Sequence, residues 1–333
     1  MPSLRARAGA VSLCLLPIAT DPAAAQTAFV ESAAASGIEM TFTPSPAFFP
    51  GLSIMAGGGA VGDFDRDGRP DLFILGGGDE ADRLYLNQGG TFVNRAAEWG
   101  VAHAHLGGGV AVGDFDGDGW LDLFVTSYGP AAGPIGTGNH RLYRNLSASG
   151  TPGFEQVAAA RGVASSDTVP QAFGAAFGDY DLDGDLDLFV AGWFTNGAGG
   201  NRLYRNDGGF FTDVTAAAGI DAEGVHGFAP RFIDMDGDRF PEILLVADFE
   251  TSRYWRNDGD GTFTDITAES GTGLDCNGMG STIGDFDRDG RPDWYVTAIY
   301  RGESVPEDPC GNMLYMNGGG HAFNLSYGYG MVD

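Results

Sequence analysis

An acidic nonapeptide occurs five times in this chain: DFDRDGRPD (63–71), DFDGDGWLD (114–122), DYDLDGDLD (179–187), DMDGDRFPE (234–242) and DFDRDGRPD again (285–293). Each copy places carboxylates at its positions 1, 3, 5 and 9. These are Asp63, Asp65, Asp67 and Asp71; Asp114, Asp116, Asp118 and Asp122; Asp179, Asp181, Asp183 and Asp187; Asp234, Asp236, Asp238 and Glu242; Asp285, Asp287, Asp289 and Asp293. Alternate side chains of a tight loop converge on one point, and hard oxygen donors in that number suit Ca2+ better than other common metals. Four copies have Gly at position 6, where a positive φ lets the chain wrap back around an ion. An acidic surface turn uses the same residue types, but turn chemistry does not require carboxylates at four fixed offsets in five places. An EF-hand needs Glu at loop position 12, which here holds Ile74, Val125, Val190, Leu245 and Val296. These loops are not EF-hands.

The elements around each loop repeat with it. The loops start at 63, 114, 179, 234 and 285, a period of 51 to 65 residues. A short run of small and apolar residues precedes each loop, and a β-rich run follows: DLFIL, DLFVT, DLFVA, EILLV, DWYVT. After a linker of variable length come RLYLN, RLYRN, RLYRN, RYWRN and MLYMN, then a Gly-rich hairpin turn and a last strand opening on Phe92, Phe154, Phe211, Phe263 or Phe323. Four short antiparallel strands per unit at this period predict an all-β fold, a β-propeller of four-stranded blades. A linear solenoid stays open as the alternative, because sequence does not show whether the array closes. The units span about residues 56–96, 107–158, 172–215, 227–267 and 278–326. Position 2 of each loop (Phe64, Phe115, Tyr180, Met235, Phe286) is large and apolar, and is expected to turn away from the ion and pack between blades.

The combination of GDFDGDGWLDLFV, RLYRN and FTDVTAAAGI resembles FG-GAP/VCBS repeats, the blades also found in integrin α-subunit heads. It is most similar to the cartilage-acidic-protein-like, ASPIC/UnbV-associated family, over about residues 29–333. The resemblance implies Ca2+ in each loop, about one ion per loop and up to five, held by the carboxylates named above. It adds a backbone carbonyl at position 7 (Arg69, Trp120, Asp185, Phe240, Arg291). The fourth loop departs from the pattern with Arg239 at position 6 and Glu242 at position 9, which predicts the weakest site. The UnbV-type C-terminal domain of that family is not seen after the repeats.

The opening of the mature chain, FVESAAASGI (29–38), is similar to FTDVTAAAGI (211–220) and reads as a fourth strand without its own first three. The C-terminal GYGMVD (328–333) resembles the entry to another acidic loop, so the expectation is a ring of six to eight blades that the chain leaves unfinished. A natural five-bladed ring with a loose tail is the alternative.

Composition narrows the function. The chain has 333 residues, 43% of them hydrophobic, which supports a large core. A net charge of −27 argues against nucleic acid and anionic membranes as partners. All 18 basic residues are Arg, which excludes Schiff-base chemistry and a Walker-type phosphate loop. Arg5 and Arg7, an apolar run from Ala8 to Thr20 and Ala23-Ala24-Ala25 predict a signal peptide over 1–25 and export to the periplasm, cell surface or medium. The apolar run is too short to span a bilayer. Cys276 and Cys310 form a pair that could oxidise there.

Other chemistry is sparse. His103 and His105 form an H-x-H without an evident third ligand, and the Ser, His and Asp content comes without a G-x-S-x-G elbow. Tyr128, Trp193, Phe194 and Tyr300 follow the second strands, where a binding surface or rim packing would use them. The expected function is an extracellular binding or adhesion module for a protein or polysaccharide, with Ca2+ in a structural role. A Ca2+-dependent polysaccharide lyase or hydrolase is the enzymatic alternative.

Overall fold

The computed structural model describes residues 30–42, 57–130, 140–164, 172–193, 200–299 and 311–325. The proposed signal peptide, the aromatic residues Phe194 and Tyr300, Cys310 and the segment 328–333 lie outside these. The described chain forms five four-stranded antiparallel sheets, each made of four consecutive strands. The first holds β1 (Gly59–Gly62), β2 (Asp71–Ile74), β3 (Arg83–Asn87) and β4 (Phe92–Asn94). The second holds β5 (His105–Gly113), β6 (Asp122–Pro130), β7 (Arg141–Asn145) and β8 (Phe154–Gln156). The third holds β9 (Ala172–Gly178), β10 (Asp187–Gly192), β11 (Arg202–Asn206) and β12 (Phe211–Asp213). The fourth holds β13 (His226–Ile233), β14 (Glu242–Asp248), β15 (Arg253–Asn257) and β16 (Phe263–Asp265). The fifth holds β17 (Gly278–Gly284), β18 (Asp293–Ala298), β19 (Met313–Asn317) and β20 (Phe323–Leu325).

The first strands of successive sheets pack on one another in chain order: β1 on β5, β5 on β9, β9 on β13, β13 on β17. Glycine makes this approach possible. A Cβ on Gly109 would sit 2.5 Å from the Phe173 carbonyl oxygen, and one on Gly174 2.2 Å from that of Phe228. Residues of all five first strands, including Gly59, Gly109, Gly174, Pro230 and Met279, line one cavity of about 370 Å³. Strands from every sheet around one cavity require a radial arrangement, which a linear stack does not provide. The architecture is that of β-propeller blades.

The hydrophobic core is divided among the seams between blades. In the second, third and fourth blades the second strand is covered on both faces, and this is why its apolar run, such as LFVA after Asp187 in β10, is buried without alternation. Phe64 packs with Leu123, Val125 and Tyr143 of the next blade, Phe115 with Leu188, Val190 and Phe211, Tyr180 with Ile243, Leu245 and Trp255, and Met235 with Trp294, Val296 and Tyr315. Position 2 of the acidic loop therefore packs between blades in the first four units. It does not in the fifth. Phe286 is 51% exposed, because no following blade covers that face among the described residues.

The Ala-Gly tail after each fourth strand hands the chain to the next unit. The left-handed Gly100, Gly162, Gly219 and Gly271 lie against the carbonyl oxygens of Phe154, Phe211, Phe263 and Phe323, the first residues of the next blade's outer strand. Gly37 lies against Phe92 in the same way. The segment at 30–42 thus has the tail of a preceding unit, but it carries a 3-10 turn at Ala34–Ser36 and no strand among its described residues. The expected fourth strand is not seen among residues 30–42, and its opening residue Phe29 lies outside the described residues.

Candidate metal centres

Each acidic loop joins the first strand of a blade to the second, and register fixes its ends. The residue before position 1 pairs with position 9 in every blade: Gly62 with Asp71, Gly113 with Asp122, Gly178 with Asp187, Ile233 with Glu242, Gly284 with Asp293. Eight residues must close between two paired neighbours. Position 6 turns the chain with φ between 83° and 97° in Gly68, Gly119, Gly184, Arg239 and Gly290. Position 4 is also left-handed, at Arg66, Gly117, Leu182, Gly237 and Arg288, a feature that the motif did not reveal because three of these are not glycine. The fourth loop keeps the backbone shape with Arg239 at φ 83°, at a cost of order 1 kcal/mol.

The carboxylates are held in graded fashion. Position 1 accepts N–H groups from the turn: Asp63 from Asp67 (3.0 Å) and Gly68 (2.9 Å), Asp114 from Asp118 (3.0 Å) and Gly119 (2.7 Å), Asp179 from Asp183 and Gly184 (both 3.1 Å), Asp285 from Asp289 and Gly290 (both 3.0 Å). In the fourth loop Asp234 accepts from Gly237 (2.7 Å) and Arg239 (2.9 Å) instead. Position 9 is sealed. Asp122 accepts the Phe115 N–H at 3.1 Å on one oxygen and the Asn145 N–H at 2.7 Å on the other, and Asp71, Asp187 and Asp293 repeat this pair of bonds. Position 5 turns toward arginine where one is near: Asp67 pairs with Arg69, Asp289 with Arg291, and Asp118 with Arg144, which also pairs with Asp116.

Three of the four carboxylates of a loop meet. One oxygen each from Asp63, Asp65 and Asp71 lies within 4.8 Å of the others, as do those of Asp114, Asp116 and Asp122, and of Asp179, Asp181 and Asp187. In the fourth loop the converging sets are Asp234, Asp236 and Asp238, and Asp236, Glu242 and His321. Burial, reinforced by the neighbouring carboxylates, pushes Asp122 up to about 8, Asp187 to about 7 and Glu242 to about 8, even though backbone N–H groups pull the other way. Asp65, Asp71 and Asp181 are raised by burial first and by neighbouring carboxylates second. The buried oxygens Asp116 Oδ1, Asp181 Oδ1 and Glu242 Oε1 accept no hydrogen bond. A buried lone pair without a partner costs about 1–3 kcal/mol, and a divalent cation between converging carboxylates would satisfy it. The donor set therefore fits a hard cation.

Asparagine links these loops from blade to blade. Asn145 Nδ2 donates to the Phe64 carbonyl at 3.0 Å, Asn206 to Phe115 at 2.7 Å, Asn257 to Tyr180 at 2.8 Å and Asn317 to Met235 at 2.8 Å. The Asn ending the third strand of the second to fifth blades thus grips position 2 of the previous blade's loop. The RLYRN repeat showed this Asn but not its partner, which lies 77 to 91 residues away. Asn206→Ala is expected to cost about 2–3 kcal/mol in chemical denaturation, since it strands the carbonyls of Phe115 and Leu186 and the N–H of Gly209.

A second set was missed for the same reason. The residue before each third strand accepts the N–H at the end of the second strand: Asp82 from Gly76, His140 from Ser127, Asn201 from Gly192, Ser252 from Ala247, Asn312 from Ala298. Four residue types at five positions do one job, so no motif emerges. His105 belongs with this set. Its Nδ1 meets Ser127 Oγ at 3.0 Å and its Nε2 meets Asp82 at 3.0 Å. All three are fully buried, which closes this Ser-His-Asp line to any substrate. His103 stacks on Tyr143. Trp193 packs against Phe173, His226 and Phe249, and Phe249 is half-exposed, so aromatic surface does gather after the second strands of the third and fourth blades. Cys276 is disulfide-bonded to a partner outside the described residues.

Blades with a carboxylate loop at each seam define an acidic-loop β-propeller protein. The family model for the FG-GAP-like repeat matches residues 63–125, 179–245 and 234–296, over half of the chain, and the chain belongs to that family. Cartilage acidic protein 1 of Mus musculus is 32% identical over 169 residues, covering 49% of this chain and 24% of that protein. The Homo sapiens protein of the same name is 32% identical over 171 residues with the same coverage. The chain spans about a quarter of the length of these curated relatives. Among solved structures, the exotype rhamnogalacturonan lyase YesX superposes with a TM-score of 0.47 at 19% identity, over 81% of this chain and 48% of that one. No helix among the described residues is long and apolar enough to cross a membrane.

Proposed function

We propose that this chain is an exported Ca2+-binding propeller that acts as an extracellular binding module for a protein or a polysaccharide. The observation that carries the reading is the convergence of positions 1, 3 and 9 within 4.8 Å in the first three loops, with buried oxygens left over at position 3 of the second and third. Bound Ca2+ supplies charge neutralisation and a rigid crosslink between the two strands each loop joins. The protein supplies the rest. Position 1 is pre-oriented by turn N–H groups, position 9 is anchored by strand N–H groups, and position 2 delivers the consequence to the seam between blades. FG-GAP repeats, the cartilage acidic protein relatives and the disulfide at Cys276 support an extracellular setting. Recognition belongs to the linkers between second and third strands, which differ most between units and carry the Trp193–Phe249 aromatic surface.

The test is calorimetric Ca2+ titration of the chelator-stripped chain, followed by binding to arrays of glycans and matrix proteins with and without chelator. Ca2+ uptake at several sites per chain, with array binding that disappears on chelation, is the expected outcome. A protein that takes up no Ca2+, or whose binding ignores the chelator, would remove the reading.

A further inference from the structure

The fourth loop differs from its sisters in chemistry as well as in sequence. In the first, second, third and fifth blades both oxygens of the position-9 Asp accept backbone N–H groups. Glu242 uses Oε2 for the Met235 N–H at 2.7 Å, but its extra methylene leaves Oε1 without a partner, although the residue is 0% exposed. Beside this carboxylate stands a nitrogen ligand from another blade. His321 stands in the turn between β19 and β20, where the fourth blade has Gly261, and both residues are left-handed. Its Nε2 lies 3.0 Å from Asp236 Oδ2. Donor atoms of Asp236, Glu242 and His321 all fall within 4.8 Å of one another. The other ring nitrogen, Nδ1, meets the Tyr254 hydroxyl at 2.7 Å. A metal-binding imidazole typically gives its second N–H to such an acceptor, which fixes the ring and leaves the first nitrogen free for the ion.

From this geometry we infer that Asp236, Glu242 and His321 form a separate site for a first-row divalent transition ion, with Zn2+ its natural probe, across the seam between the fourth and fifth blades. An imidazole with two carboxylates is a donor set that borderline ions prefer and that Ca2+ and Mg2+ use poorly. Asp236 also belongs to the Asp234–Asp236–Asp238 group, so further carboxylate oxygens stand close to it. The departure of Glu242 from Asp, which weakens the loop as a Ca2+ site, supplies the free buried oxygen that this one needs. The inference stands apart from Ca2+ in the remaining loops, since it uses a nitrogen donor that they lack.

The experiment is a Zn2+ titration of the full chain in excess Ca2+, read by calorimetry and by the imidazole 15N resonances of the five histidines. One Zn2+ per chain is expected to bind despite the Ca2+, with one histidine shifting. His321→Gln and Glu242→Gln are each expected to weaken Zn2+ by more than about 100-fold, beyond what loss of an outer-shell partner costs. Tyr254→Phe, which removes only the group that orients the ring, is expected to weaken it about 10–100-fold. Zn2+ uptake that Ca2+ abolishes, that leaves every imidazole unmoved, or that His321→Gln retains would overturn the site and leave His321 as a hydrogen-bonded bridge. The 15N readout on the unaltered chain decides the matter even where a variant fails to fold. A chain that binds Zn2+ here but no Ca2+ elsewhere would sink the proposed function and leave this inference intact.

Discussion

Stripped of divalent ions at pH 8, the protein is expected to melt on the order of 20 °C below its Ca2+-saturated form. A site held at a hundred times its dissociation constant contributes about 2.7 kcal/mol by mass action, and several loops act together. The stripped form should also show an unusual pH dependence. Asp122, Asp187 and Glu242 are pushed up to about 8, 7 and 8 in the folded chain by burial. Once unfolded they titrate near 4, so between about pH 4 and pH 8 the folded state holds protons that the unfolded state has released. Stability therefore falls as pH rises through that window. His140, pulled down to about 4 by burial, acts in the opposite sense, but only below about pH 6.5, where the unfolded imidazole gains its proton. Between pH 6.5 and 8 the carboxylates act alone. Thermal melts in chelator should thus show a midpoint that drops across this range, and Ca2+ should abolish the drop. A chelated protein equally stable at both ends would show that the loops carry no such buried charge.

Two aspartates of the same type should respond in opposite ways. Asp122 is fully buried and accepts the N–H groups of Phe115 and Asn145. Asp122→Ala strands both donors, and a loss of about 3–5 kcal/mol is expected in urea denaturation even with chelator present. Asp181 is different. Its Oδ1 is buried without a partner, and burial and its neighbours Asp183 and Asp179 raise its pKa. Asp181→Asn removes a crowded charge, so the stripped protein should be unchanged or slightly more stable, while the Ca2+-loaded protein loses one ion by calorimetry. If both variants lose stability equally in chelator, position 3 is part of the scaffold and not a ligand.

The difference between these residues marks where sequence stops being informative. Asp122 and Asp181 are both acidic positions of the same motif, and only the structure shows that the first has both oxygens hydrogen-bonded while the second keeps a buried oxygen free. Phe286 and Phe115 likewise occupy the same position 2, yet one is half-exposed and the other sealed, because a neighbouring blade is a property of the assembly. The strand plan of the five units was legible, unlike the extra strand expected at 29–38, since carboxylate loop, apolar second strand, aromatic third strand and hairpin turn each follow local rules of period and turn chemistry. The left-handed position 4 was not, because Arg and Leu carry no mark of the backbone they adopt.

By itself, then, the sequence determined what lies within one unit: four strands, a tight acidic loop and the offsets of its carboxylates. Those features depend on residues a few positions apart, where φ preference, alternation and charge spacing act directly. Only the tertiary structure decided what passes between units. The Asn206 bond to Phe115, the glycine-to-carbonyl approach of neighbouring inner strands and the arrival of His321 beside Asp236 all join residues more than 50 positions apart. Such pairings are set by the angle at which one twisted sheet packs on the next, and no local pattern records that angle.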